Sequence, residues 1–464
     1  MEDRGIVESM EGEEVTANGI ALPETAKEKP QEAGEASGAA YVQKWHRLRR
    51  RLIGWLDRYH PSEAAILMTT ALLVGIGAGL GGLVLRWLIN TISTLSFTWL
   101  GKALRFLGPS YVILVPAFGG LFVGPMVYFW AREAKGHGVP EVMEAVALKG
   151  GRIRPIVAVV KPLASSICIG TGGSAGRVEP IVQIGSALGS TVGQFLKLSD
   201  KQVRSLVACG AAGGIAATFN APIAGALFAL EIILGELEVS YFGPVVISAV
   251  TASVIGRILL GDRPAFFVPP YALVSLWELP LYLVLSLLAS GTAVAFTRLL
   301  YRMKDIFELW SFPEYLKPVA GGLLVGMLGW HFPQIFGVGY EAMQEKLLGG
   351  FALSTTSFLL LLKMLATALT LGSGGSGGVF APSLFLGSML GGAFGAIVHG
   401  WLPEITAAPG AYALVGMAAV LAGASHAPMT AIIILFEMTG DYRIILPLML
   451  ATGVSTLAAR GLNR

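Results

Sequence analysis

Three short segments of this sequence share one form: a glycine-containing turn that ends in proline and opens an apolar helical pattern. They are Gly136-His137-Gly138-Val139-Pro140, Gly176-Arg177-Val178-Glu179-Pro180 and Gly378-Val379-Phe380-Ala381-Pro382. Proline suits the first turn of a helix, where its missing N–H is no loss. Glycine lets the backbone before it turn sharply and approach a ligand closely. The first N–H groups of a helix have no partner within it and sit at the positive end of its dipole. Several such ends aimed at one point make a site for an anion without a full positive charge. That suits passage rather than retention, because a pore site must release what it binds.

The elements that must position these turns are repeated. Residues 161–193 begin KPLASSICIGTGGSAG, and residues 363–395 begin KMLATALTLGSGGSGG. At a fixed offset of 202, Lys161 aligns with Lys363, Gly172 with Gly374, Ser174 with Ser376, Gly176 with Gly378 and Pro180 with Pro382. A second block continues the pattern with a small shift. It pairs Asn220-Ala221-Pro222 and Glu231 with His426-Ala427-Pro428 and Glu437. Matched lysine, proline and glutamate indicate an internal duplication. Paired, interrupted apolar segments in two halves point to a binding site at the membrane midplane.

Composition places these elements in a bilayer. Of 464 residues, 54% are hydrophobic and 14% charged, against about 25% charged in soluble domains; the mean hydropathy is +0.67. Apolar stretches follow one another from 64–99 to 411–460, several longer than the ~20 residues one span needs and others broken by Gly or Pro. Broken helices at membrane depth are tolerated where the freed backbone is buried in protein or lines a cavity. The expected fold class is therefore an all-α, multi-span membrane protein of tilted and broken helices. Residues 1–42 are acidic, lack an apolar run and read as a disordered tail. Residues 43–60, with Lys44, Arg47, Arg49, Arg50 and Arg51 among Trp45, Leu48 and Leu52, read as a basic amphipathic helix on the cytoplasmic leaflet. The positive-inside rule then puts the N-terminus in the cytoplasm, for a multi-pass protein of the cell (inner) membrane.

The charge of +3 is too small and dispersed for nucleic acid. Cys168 and Cys209 sit in apolar surroundings and read as core residues rather than a disulfide or a metal pair. No metal-ligand spacing, phosphate loop or nucleotide fingerprint occurs, so neither a metal nor a cofactor is expected. Ser425-His426 is an adjacency that tempts a hydrolase reading. A nucleophile and its base need an orienting third group, and His426 instead aligns with Asn220 before Ala-Pro. No enzymatic activity is expected.

The motifs GHGVP (136–140), GRVEP (176–180) followed by IVQIGSALGS, FNAPIAGALFALE (219–231), GVFAP (378–382) and LFEMTGDY (435–442) resemble the CLC family of chloride channels and proton-coupled chloride antiporters, from about residue 62 onward. The resemblance implies two inverted-topology repeat halves, here 61–240 and 241–464, the latter ending before the family's last helix. It also implies a homodimer in the lipid bilayer with one pore per subunit and chloride as the transported ligand. Anion contacts are implied at Gly136, His137, Gly138, Val139, Arg177, Val178, Glu179, Val379 and Phe380.

The sequence departs from the family where proton coupling resides. The family's second turn reads Gly-Arg-Glu-Gly-Pro, and its glutamate is a gate that competes with the anion when ionised. The gate position here is Val178, with Glu179 following it. One helical residue is about 100° of rotation, so Glu179 is expected to point off the same path. The inner glutamate of the antiporters is Ile232 here. Passive conduction, weakly coupled or uncoupled to protons, is the leading expectation; antiport with Glu179 or His137 as proton carrier is the alternative. His137 stands where the family has Ser or Pro, and the family's C-terminal tyrosine hydroxyl has no counterpart before Arg464. Glu231 and Glu437 are expected to be structural carboxylates accepting hydrogen bonds between the repeats.

Overall fold

The computed structural model describes residues 62–462, apart from 104, 263, 264, 270 and 272. The acidic tail (1–42) and the basic helix (43–60), on which the orientation of the N-terminus was argued, lie outside the described residues. The compact unit runs His60–Arg464. Among the described residues it is helical throughout, and its extended contacts are two isolated bridges, Gly136 with Ser376 and Gly176 with Gly378.

Among the described residues, sixteen helices of seven residues or more fall into two sets of eight. The first set is α1 (Glu63–Ser93), α2 (Tyr111–Trp130), α3 (Val139–Leu148), α4 (Val157–Gly170), α5 (Val178–Phe195), α6 (Asp200–Phe219), α7 (Pro222–Phe228) and α8 (Val239–Leu260). The second is α9 (Glu278–Leu309), α10 (Lys317–His331), α11 (Tyr340–Leu347), α12 (Leu353–Gly372), α13 (Phe380–Trp401), α14 (Pro409–Ser425), α15 (Pro428–Thr439) and α16 (Ile445–Leu462). Among the described residues, seven helical segments are long and apolar enough to cross a membrane, and four shorter apolar helices lie between them. The long run 411–460 resolves into three helices, α14 to α16. Its breaks fall at Ala427-Pro428 and at Gly440, where glycine ends α15 in the left-handed region.

The two sets correspond helix by helix, α1 with α9 through α8 with α16. This moves the division between the halves from residue 240 to the connection 261–277. The aligned motifs stop at Glu231 and Glu437, and the sequence reading accordingly put α8 in the second half. Its packing assigns it: α8 lies against α1 and α6, as α16 lies against their counterparts α9 and α14.

The duplication is structural as well as sequential. Asn220 and His426 end α6 and α14 in the same left-handed conformation, at φ 57° and 56°. The helices of each half cross at glycines. A methyl group on Gly210 would stand 1.9 Å from the carbonyl oxygen of Gly185, and one on Gly416 would stand 2.4 Å from that of Gly387. Such contact distances admit no side chain, so α5 crosses α6, and α13 crosses α14, backbone on backbone.

Two buried lysines hold the turns before α3 and α11. Lys161 Nζ donates to the carbonyl oxygens of Ala134 (3.1 Å) and Gly136 (2.9 Å). Lys363 Nζ donates to those of Ile335 (2.9 Å) and Gly337 (2.8 Å). The partners of Lys363 reveal a repeat of the first glycine turn at Gly337-Val338-Gly339-Tyr340, which sequence reading missed. Gly138 and Gly339 cap α3 and α11 at φ 93° and 84°, a region that favours glycine.

Three outcomes are expected from this packing. Gly210→Val removes the folded, monodisperse species seen by size-exclusion in detergent. Gly291→Ala, at a helical site with nothing within 4 Å of the added carbon, leaves melting unchanged or raises stability by up to about 1 kcal/mol. Lys363→Met lowers the melting temperature more than Lys161→Met does. Among the described residues, Ile335 O and Gly337 O have no other donor, and each orphaned carbonyl costs about 1–3 kcal/mol. Ala134 O keeps the Ser376 hydroxyl (2.8 Å) and Gly136 O keeps the Gly377 N–H (3.2 Å).

Candidate anion path

The three glycine-proline turns meet. Gly136 N–H donates to Gly375 O (3.0 Å), Gly377 N–H to Gly136 O (3.2 Å) and Gly176 N–H to Gly378 O (2.7 Å). Hydroxyls tie the halves together around them, Ser165 to Ser376 (2.9 Å) and Ser174 to Thr367 (3.1 Å). The starts of α3, α5 and α13 are thereby gathered into one region, and the freed backbone of the breaks is satisfied across the repeat.

At the centre of this region is a carboxylate. Glu179 is the second residue of α5, only 5% exposed, and its Oε2 accepts the backbone N–H of Phe380, the first residue of α13, at 3.2 Å. Helical rotation from Val178 had put Glu179 off the path; the structure puts its carboxylate on the helix N-terminus of the opposite half. Gly378 makes room for it, since a methyl group there would stand 1.6 Å from Oε2. Val178 is fully buried in the hydrophobic core and is not among the residues lining either cavity described next. Glu179 does stabilise a helix N-terminus, that of α13 in the other half.

Two cavities are lined by residues of these turns. One, of ≈ 420 Å³, is lined by His137, Val139, Glu179, Phe228, Ile232, Val379, Phe380, Ser383, Ser425 and His426 among others. The other, of ≈ 440 Å³, is lined by Arg86, Arg177, Phe219, Asn220 and Tyr340 among others. No described residue lines both. The Phe380 ring lines the first cavity and lies 6.5 Å from the Phe228 ring of the same cavity and 6.2 Å from the Phe219 ring, which lines the second.

His137 lines the first cavity and also a side cavity of ≈ 250 Å³ shared with Arg132, Lys135, Glu141, Tyr301 and Lys304. It therefore stands between a cation-rich mouth and the carboxylate. Ser383 and Ser425 also present hydroxyls to the first cavity, though each donates its proton to its own helix, to Val379 O (2.9 Å) and Leu421 O (2.8 Å). Nothing in the spacing of these serines distinguished them from ordinary helical ones.

Glu231 and Glu437 exchange caps between the halves. Glu231 accepts the N–H groups of Met429 (3.2 Å) and Thr430 (2.7 Å) at the start of α15. Glu437 accepts those of Ile223 (3.1 Å) and Ala224 (2.6 Å) at the start of α7. Negative charge at a helix N-terminus is stabilising, and both oxygens of each carboxylate are engaged. A π-helical turn, Ala229–Leu234, carries Glu231. Cys168 and Cys209 are free and buried. Among the described residues no cluster of His, Cys, Asp and Glu could hold a metal ion.

Residues 119–460 match the family model of the voltage gated chloride channel. The chain is 38% identical over 355 residues to a ClcB-like chloride channel protein of Ralstonia nicotianae, covering 75% of this chain and 83% of that protein. It is 33% identical over 395 residues to the H(+)/Cl(-) exchange transporter ClcA of Vibrio cholerae, covering 82% of this chain and 84% of that one. Among solved structures, that of a slow cyanobacterial Cl-/H+ antiporter matches with a TM-score of 0.78 at 25% identity, over 85% of this chain and 94% of that chain. These matches span the glycine turns and both halves, and the chain belongs to the voltage gated chloride channel (CLC) family of multi-pass membrane proteins.

Proposed function

We propose that this chain carries chloride, or a comparable small inorganic anion, across the membrane between the two cavities, with the Glu179 carboxylate as its gate. One observation carries the reading: Glu179 accepts the Phe380 N–H, and both residues line the first cavity. A carboxylate and an anion compete for the same donor. Protonation of Glu179 removes its charge and weakens its hold, and the N–H becomes free for the passing ion.

The gate responds to protons without a matched carboxylate on the other side. Ile232 lines the first cavity in place of an ionisable group, and the oxygens of neighbouring Glu231 are engaged at α15. We therefore propose conduction that is proton-sensitive and weakly coupled or uncoupled. Stoichiometric exchange is a second reading, favoured by the place of His137 between the cation-rich side cavity and the cavity that Glu179 lines. A homodimer in the inner membrane, with the N-terminus in the cytoplasm, completes the proposal.

The test is chloride efflux from proteoliposomes as pH is varied. Wild-type flux rises as pH falls, whereas Glu179→Gln gives a fast flux that no longer varies with pH. An unaltered pH profile in Glu179→Gln overturns the gate assignment. A chloride gradient that drives sustained uphill proton movement, lost in His137→Ser, replaces uncoupled conduction by exchange.

A further inference from the structure

We infer that the cavity beyond Phe380 is a built anion-capture site, in which Arg86, Arg177 and Tyr340 bind a small monovalent inorganic anion together with part of its water shell. The inference rests on the anion-path reading above and adds to it a second, separate binding site. Arg86 comes from α1, Arg177 from the turn before α5 and Tyr340 from the first residue of α11, so three elements from both halves supply it. Arg177 lays its guanidinium over the Tyr340 ring, 5.0 Å from the centroid. That stack fixes the plane of the cation and leaves its N–H edges for a ligand. Its Nε is buried with no hydrogen-bond partner, and the buried Tyr340 hydroxyl has none besides the Arg177 side chain itself. Orphaned donors in a polar cavity are costly unless a ligand or water meets them.

The charge is one-sided. Neither Arg86 nor Arg177 has an ion pair among the described residues, and both line the same cavity. Asp262, which bonds to the lining Asn220 (2.8 Å), is itself paired with Arg257 (3.6 Å). A cleft lined by unpaired cations raises the local concentration of anions. The volume of ≈ 440 Å³ holds on the order of ten waters at ~30 Å³ each, so an anion need not shed its shell to bind here. Dehydration is left to the contact with Phe380 and Glu179. The repeat did not dictate this arrangement: Tyr340 occupies the place of Val139, which lines the opposite cavity. Arg86 was invisible in the sequence because it lies inside the apolar run 64–99.

The experiment is calorimetric titration of sodium chloride into the detergent-purified full chain, with ionic strength held constant by gluconate. It is run beside chloride flux against the chloride concentration on the side of this cavity. Arg86→Gln is expected to weaken one class of chloride binding about tenfold, the loss of one charged hydrogen bond, and to raise the half-saturating concentration for flux in parallel. Tyr340→Phe weakens the same class with the charge intact, while Glu179→Gln keeps it. Equal chloride binding by wild type and Arg86→Gln overturns the site. A shift in half-saturation that vanishes at high ionic strength, with no change in bound chloride, also overturns it, in favour of long-range attraction alone. The binding arm needs no transport, so a chain that binds chloride here and carries none would count against the proposed function and leave the site standing.

Discussion

Every break in a helix at membrane depth frees backbone N–H and C=O groups that lipid cannot satisfy, and the rest of this structure follows from how those groups are met. The freed carbonyls before α3 and α11 are met by the buried amines of Lys161 and Lys363. The freed N–H groups at the starts of α7 and α15 are met by Glu437 and Glu231 from the other half. One start is met differently. At α13 the partner is Glu179, bonded through one oxygen to the Phe380 N–H, whereas both oxygens of Glu231 and of Glu437 are engaged.

In the proposed function, that difference turns a structural device into a gate. A permanent partner at the start of α13 would close the path, and the absence of any partner would leave a buried N–H exposed to nothing. A carboxylate that gains and loses a proton stands between these cases. Gly378 is part of the same device, because a side chain there would displace Glu179 Oε2. The glycine crossings of α5 with α6 and α13 with α14 make the support stiff enough for the starts of α5 and α13 to keep their places.

Much of this was legible in the sequence, and the rest failed for identifiable reasons. The glycine-proline turns, the offset of 202 and the matched Glu231 and Glu437 carried the fold class and the meeting of the helix starts. The direction of Glu179 was not legible. Counting 100° per residue assumes that Val178 takes the gate's place in the turn, whereas the turn settles with Val178 in the core and Glu179 on α13. The turn at Gly337–Tyr340 escaped because it lacks the proline of its partner, and only the hydrogen bonds of Lys363 reveal it. The division of the halves was misplaced because glycine and glutamate matches end before α8, whose place is fixed by packing alone.

The central claim is that Glu179 holds a backbone donor that a passing anion uses in its absence. Anomalous diffraction from crystals grown in bromide tests this most directly. In Glu179→Ala a bromide peak is expected within hydrogen-bond reach of the Phe380 N–H, with no peak there in the wild type at high pH. Bromide at that position in both proteins, or in neither, would contradict it.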